Sequence, residues 1–174
     1  MASDEPAHRA LLAESLKRSA LIWLVVAGRT HGRWHSWLDG RVYLLTGPGE
    51  QPDPGLVAGS TAQVVVRSKD DGRHLVTFDA DVTRLLPADA DWPAATADLA
   101  KQRLNLSDPA GAPVRWAAPE FALYRLTPRL PLVASPGSLP DDARRAAPAA
   151  TPATTSAPRP RVLHRRGGSG RPLS

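Results

Sequence analysis

The chain has 174 residues, 42% of them hydrophobic and 5% aromatic, with 18 Pro, 13 Gly and no Cys. That length suits one ordinary domain with a remainder, and the lack of Cys excludes a disulfide framework, a thiolate metal site and a Cys nucleophile. The formal charge is +5, but residues 141–174 hold seven Arg against Asp141 and Asp142, which leaves 15 basic and 15 acidic residues elsewhere (22 less 7, 17 less 2); a neutral body argues against a folded nucleic-acid-binding face.

The N-terminus, MASDEPAHRALLAESLKRS, has no signal-peptide apolar region. Ser3 or Asp4 can cap a helix with Pro6 in its first turn, and Leu11, Leu12 and Leu16 fall on one helical stripe. LIWLVVA, Leu21 to Ala27, is continuous apolar and reads as a strand buried on both faces, one of them against a partner subunit. The longest apolar run covers only Ala20 to Ala27, far short of the roughly 20 residues a membrane helix needs. A cytoplasmic protein with no membrane span is expected.

Gly28 to Gly32 should interrupt the chain. Trp34 to Leu38 and Arg41 to Thr46 then flank Asp39-Gly40, a strong hairpin signal because a type I′ turn needs positive φ at both central residues. Pro54 to Ser60 reads as a short helical turn. Asp71-Gly72 joins Thr61–Lys69 to Arg73–Leu85. In the latter, Val76, Phe78, Ala80 and Val82 alternate with Thr77, Asp79, Asp81 and Thr83, so one face is in a core and one in water. Asp91 can cap a second helix with Trp92, Ala95 and Leu99 inward and Asn105 near its end. A last strand is expected over Phe121 to Thr127. This succession predicts a mainly β fold, an antiparallel β-barrel with helices packed outside. After Leu132 the chain is Ala, Pro, Thr, Ser, Gly and Arg with few large apolar residues. The expected division is a barrel domain over residues 1–132 and a disordered tail over 133–174.

Arg67-Ser68-Lys69 closes an apolar strand, and a phosphate needs such charge and hydroxyl donors in a fixed array. With Thr46-Gly47 at the end of another strand, these residues could hold a cofactor phosphate. The competing reading makes Arg67 and Lys69 solvated residues before a turn, offset by Asp70 and Asp71. The loop Gly47-Pro48-Gly49-Glu50-Gln51-Pro52 lacks the spacing and Lys of a nucleotide-triphosphate loop. His31 and His35 on one strand lie roughly 13 Å apart, too far for one metal. Trp34 and Trp37 bracket the hairpin arm: one suits the core, the other a flat flavin-like ring or a subunit interface. Asp79 and Asp81 read as solvated, and no nucleophile elbow is present. The Arg-rich tail reads as a sequence-tolerant, soluble segment.

The order of elements resembles the pyridoxamine 5′-phosphate oxidase-like flavin-binding split barrels. The resemblance covers roughly residues 5–130. It is carried by LIWLVVA, the hairpin into RVYLLTGPGEQ, a short PGL segment, VVVRSKD and the return strand HLVTFDADVTRL. It implies a six-stranded split barrel that forms a homodimer, with FMN or a deazaflavin between subunits and a small-molecule substrate. Carried over by position, the cofactor-binding candidates are Thr46, Gly47, Arg67, Ser68 and Lys69. The chain departs from the family at Gly49-Glu50-Gln51-Pro52, where cofactor-binding members place a Ser or Thr and then a Lys. The implied activity is a flavin- or deazaflavin-dependent oxidoreductase. The alternative is a non-catalytic dimeric split-barrel binding or scaffold protein that has lost its cofactor.

Overall fold

The first hairpin forms where the sequence carries no Asp-Gly. In the computed structural model, which describes residues 5–103 and 106–138, β1 (Leu21–Val26) turns into β2 (Arg29–Trp34). Ala27 and Gly28 make the turn at φ 47° and 73°. Two successive positive φ values give the type I′ geometry that matches strand twist. Gly28 to Gly32 therefore does not interrupt the sheet: Val26 pairs with Arg29 and Trp23 with Gly32. This added strand makes seven, against the six expected.

The second hairpin is as expected. β3 (Ser36–Leu38) and β4 (Arg41–Thr46) are joined by Asp39 and Gly40 at φ 49° and 74°, with Leu38 opposite Arg41. The third differs in its turn. β5 (Thr61–Arg67) and β6 (His74–Leu85) are linked by residues 68–73, of which Gly72 alone has positive φ. Ser68 and Asp71 stabilise that longer loop by accepting from the backbone amides of Asp70 and Arg73 at 3.2 and 3.1 Å.

With β7 (Ala122–Pro128), the strands form one antiparallel sheet in the order β2-β1-β5-β6-β7-β4-β3. β2 and β3 lie at opposite edges, yet only His35 separates them in the chain. Two Cα atoms flanking one residue are at most about 7 Å apart, so the sheet must curl until its edges meet. That seam is bridged by a side chain. Trp34 N donates to Gln51 Oε1 at 2.8 Å, and Gln51 Nε2 donates to Trp34 O at 3.1 Å.

The alternation in β6 is borne out. Val76, Phe78, Ala80 and Val82 face an inner cluster with Ile22, Leu24, Val42, Leu44, Val64 and Leu126. Helix α1 (Glu5–Arg18) adds Leu12 and Leu16 to this cluster, with Leu11 packed against it; its expected caps lie outside the described residues. A second cluster lies on the other face of the sheet. Helix α2 (Trp92–Gln102) and the short α3 (Ala112–Arg115) pack there on Tyr43, Leu45, Leu85 and Leu123. β4 is thus the strand buried on both faces. In β1, Ile22 and Leu24 are buried, while Leu21, Trp23 and Val25, on the face expected against a partner subunit, are half-buried in the single chain.

Two local expectations are corrected. Residues 54–60 form no helical turn, because Asp53 Oδ1 takes the amides of Gly55 and Leu56 at 2.8 and 3.3 Å in an Asx turn. Asp91 stands at the N-cap of α2, but its side chain makes no capping hydrogen bond. Its carboxylate receives Arg41 at 3.0 Å and Arg125 at 2.5 Å instead, two charge-assisted contacts that outweigh one cap.

Beyond β7, Val133 N donates to Thr77 O at 2.8 Å, and Thr77 N donates to Ala134 O at 2.8 Å. This strap buries Thr77 on the otherwise polar face of β6. Residues 139–174, most of the expected tail, lie outside the described residues. Among the described residues no helix is long and apolar enough to cross a membrane.

Candidate functional site

The five residues expected at a cofactor phosphate do not gather within one chain. Arg67 pairs with His74 at the start of β6. Thr46 pairs with Ala122, one residue beyond the Leu85–Leu123 pair at the end of β6. The whole of β6 separates the two groups. Arg67 Nη1 donates to Gly72 O at 3.1 Å, and Ser68 serves its own turn. Lys69 is exposed. Thr46 Oγ1 donates to Ala122 O at 3.3 Å, and Thr46 is buried.

Gly47 has a packing reason to be glycine. Its φ is 145°, and a Cβ there would lie 2.4 Å from Cδ1 of the buried Phe121 ring. Gly47→Ala should therefore cost about 3 kcal/mol through strain and overpacking. Thermal or urea unfolding checks this; a variant as stable as the parent would refute the packing role. Thr46 and Gly47 also border a hollow of about 410 Å³ with Arg84, Asp53 and Glu120. One cation beside two carboxylates is a poor anion site. Asp53 also receives the Tyr124 hydroxyl at 3.0 Å, and burial, then Asp53, raises the Tyr124 pKa.

The loop after β4 turns its polar groups inward. Gly47 N donates to Gln51 O at 3.2 Å and Glu50 N to Gly47 O at 3.0 Å. Gln51 is spent on the barrel seam. The Glu50 side chain is 8% exposed. It accepts from Trp116 Nε1 at 3.2 Å, and Arg103 Nη2 approaches it to 3.0 Å without hydrogen-bond alignment. Glu50 is thereby neutralised from within the fold.

A larger cleft, about 680 Å³, opens where α1, α2, this loop and the β2–β3 crossing converge. Leu16 and Lys17 line it from α1, Leu99 and Gln102 from α2, and Trp34, His35 and Trp37 from the crossing. Trp34 is 56% exposed, with the Arg103 guanidinium 5.4 Å from its ring centre. Trp37 packs partly on the inner cluster. His35 is buried under α1, its Nε2 3.3 Å from Leu16 O. Burial lowers its pKa to about 4, against the smaller opposing effect of that hydrogen bond. Ser36 Oγ donates to Asp98, which also accepts from Gln102 at 2.7 Å, and this fixes the crossing to α2.

Sequence reasoning singled out both Trp residues but missed Arg103. The available signal was its place four residues after Leu99, on the face that α2 turns inward. Among the described residues no three His, Cys, Asp or Glu side chains gather as metal ligands. His31 lies half-exposed on β2.

No family model and no curated protein matches the chain. Solved structures do. HutZ, the heme storage protein from Vibrio cholerae, superposes with a TM-score of 0.50 at 16% identity, over 74% of this chain and 92% of that one. A candidate general stress protein 26 from Jannaschia sp. CCS1 gives 0.45 at 21% identity, over 68% and 72%. A candidate pyridoxamine 5′-phosphate oxidase from Listeria innocua gives 0.45 at 12%, over 72% and 97%. What the chain shares with HutZ is the fold, mainly β, in which one curled antiparallel sheet of seven strands carries flanking helices.

Proposed function

We propose that this chain is a non-catalytic, dimeric split-barrel binding protein that has kept the barrel and lost the phosphate-bearing cofactor. The reading rests on the loop after β4. The amides of Gly47 and Glu50 and the side chains of Glu50 and Gln51 are engaged within the fold, and the loop carries no Lys or Arg. A phosphate there would meet no free cation from that loop, and such groups are held by charge-assisted donors. FMN and a deazaflavin therefore do not fit the five expected residues within one subunit. The half-buried apolar face of β1 and β5, with Leu21, Trp23, Val25 and Val65, is the surface a second copy would cover.

A flavin- or deazaflavin-dependent oxidoreductase acting on a small molecule is the second reading. The aromatic cleft beside Trp34 favours it. In that reading Thr46 and Gly47 would hold the phosphate only if Arg67, Ser68 and Lys69 came from the second subunit.

One purification separates the two. Gel filtration with light scattering and visible absorbance should give a colourless dimer, and titration with FMN or a deazaflavin should leave it colourless. A flavin or deazaflavin band that travels with the protein overturns the reading. In that event Arg67→Ala and Lys69→Ala should each weaken binding by about 1.5–3 kcal/mol, and unchanged affinity would remove them from the site.

A further inference from the structure

Two Asp-Gly pairs lie in turns of this sheet, and the fold treats them in opposite ways. In such a pair the Gly amide nitrogen can attack the Asp side-chain carboxyl, because no Cβ on the Gly shields it. The reaction needs an amide without a partner and a carboxyl able to lose its hydroxyl. At Asp71-Gly72 both groups are tied. Gly72 N donates to Ser68 O at 3.0 Å. Asp71 accepts from Arg73 N at 3.1 Å and from Arg73 Nε. The backbone bond from Arg73, more than any other contact, holds the Asp71 carboxyl below the usual carboxylate range, and an ionised carboxylate is a poor electrophile.

At Asp39-Gly40 both groups are free. The pair is exposed at the tip of the hairpin between β3 and β4. Gly40 N lies outside the ladder that pairs Leu38 with Arg41, and it has no hydrogen-bond partner among the described residues. The Asp39 carboxylate has none there either; Arg41, next in the chain, is engaged with Asp91 at 3.0 Å. The space that a Gly40 Cβ would take is empty out to 4 Å. Asp39 is also held at φ 49°, a left-handed conformation that opposes most side chains.

We propose that Asp39-Gly40 is a site of spontaneous modification, where a succinimide forms and opens to isoaspartate, while the turn around Asp71-Gly72 protects that pair. In the first step the bond from Gly40 N to Asp39 Cγ forms and the Cγ–OH bond breaks. The amide proton leaves with the hydroxyl as water. In the second step water opens the imide. Addition at Cγ restores Asp39, and addition at the Asp39 backbone carbonyl gives isoaspartate. No oxidant or cofactor takes part, and neither functional reading of the barrel is needed. The isoaspartyl main chain runs through Cβ and Cγ and is one methylene longer, which a two-residue type I′ turn does not accommodate. The three-residue β3 is thereby loosened, and with it the contact of Ser36 with Asp98 beside the cleft.

The full chain is aged at neutral pH in water enriched in oxygen-18. Each round of closing and opening leaves one heavy oxygen in the Asp-Gly peptide, which mass spectrometry reads. Isoaspartate itself is read by methyl transfer from an isoaspartyl carboxyl methyltransferase. Label should enter the peptide holding Asp39 at least about tenfold faster than the one holding Asp71, the difference in barrier that a single hydrogen bond supplies. In short synthetic peptides carrying either pair the two rates should converge. Labelling of Asp71 that keeps pace with Asp39 in the folded chain overturns the proposal. So does an unlabelled Asp39 over a period in which its synthetic peptide converts. A ratio that persists in the peptides overturns it as well, because local sequence and not the fold would then set the difference. Aged chain should exchange the Leu38 and Arg41 amide hydrogens faster than fresh chain. Asp39→Ser, which has no carboxyl, should exchange alike whether aged or fresh. Unchanged exchange in the parent while isoaspartate accumulates would refute the loosening of β3.

Discussion

Glu50→Ala should destabilise the protein by about 3–5 kcal/mol, the usual cost of breaking a buried ion pair from one side. The Glu50 and Arg103 side chains are 8% and 15% exposed, so water from the cleft replaces the lost partner only in part. Trp116 is 1% exposed and would lose the acceptor of its indole N–H, which lies 3.2 Å from Glu50 Oε1. Glu50→Gln keeps an acceptor for Trp116 and loses only the charge, so it should cost less, about 1–3 kcal/mol. Replacing both partners by apolar residues, Glu50→Leu with Arg103→Met, should recover much of the loss, because no orphaned charge remains. Urea unfolding of the four proteins measures this. If Glu50→Ala falls within about 0.5 kcal/mol of the parent, the pair contributes as little as a surface salt bridge, and the inward-turned loop loses its main support.

Acid should destabilise the fold through His35. The imidazole titrates at 6.5 when free and at about 4 in the fold, chiefly because burial disfavours its charged form. Between those values the unfolded chain binds more protons, so lowering the pH favours unfolding. The contribution is intact above about pH 6.5 and is lost progressively down to about pH 4, a change of about 3 kcal/mol. His74, half-buried with a pKa also lowered by burial, acts in the same direction. His35→Phe should flatten the dependence of stability on pH between 7 and 4.5. Parallel profiles for parent and variant would show that His35 does not titrate as a buried neutral ring.

The parts of the fold that were legible in the sequence are those fixed locally. Asp39-Gly40 dictates its turn by backbone sterics, and HLVTFDADVTRL announces its faces by period. β2 was illegible because RTHGRW has no apolar alternation. It is an edge strand whose ladder partner, LIWLVV, supplies most of the apolar surface. Which apolar run is buried twice was equally illegible. LIWLVVA and RVYLLT are similar strings, and only the position at which α2 lands makes β4 the inner layer. The candidate site divides the same way. Trp34, His35 and Trp37 lie within four residues and could be weighed together. Thr46-Gly47 and Arg67-Lys69 look like neighbouring strand ends, but sequence does not state which end of which strand is shared, and β6 holds them apart. Arg103, 69 residues downstream of Trp34, reaches the cleft only through the tertiary packing of α2.

The two-sided burial of β4 also constrains the order of assembly. Its longer ladder is made with β7, and 76 residues separate Thr46 from Ala122. Pairings so distant in sequence form late, because loop closure precedes their reward. Until the last strand leaves the ribosome, VYLLT has one short hairpin partner and two uncovered apolar faces. A nascent chain halted before residue 122 would present an unpaired, sticky strand, a natural target for holding chaperones. The late strand therefore acts as the latch of biosynthesis: the emergence of β7 and the covering of β4 are the same event.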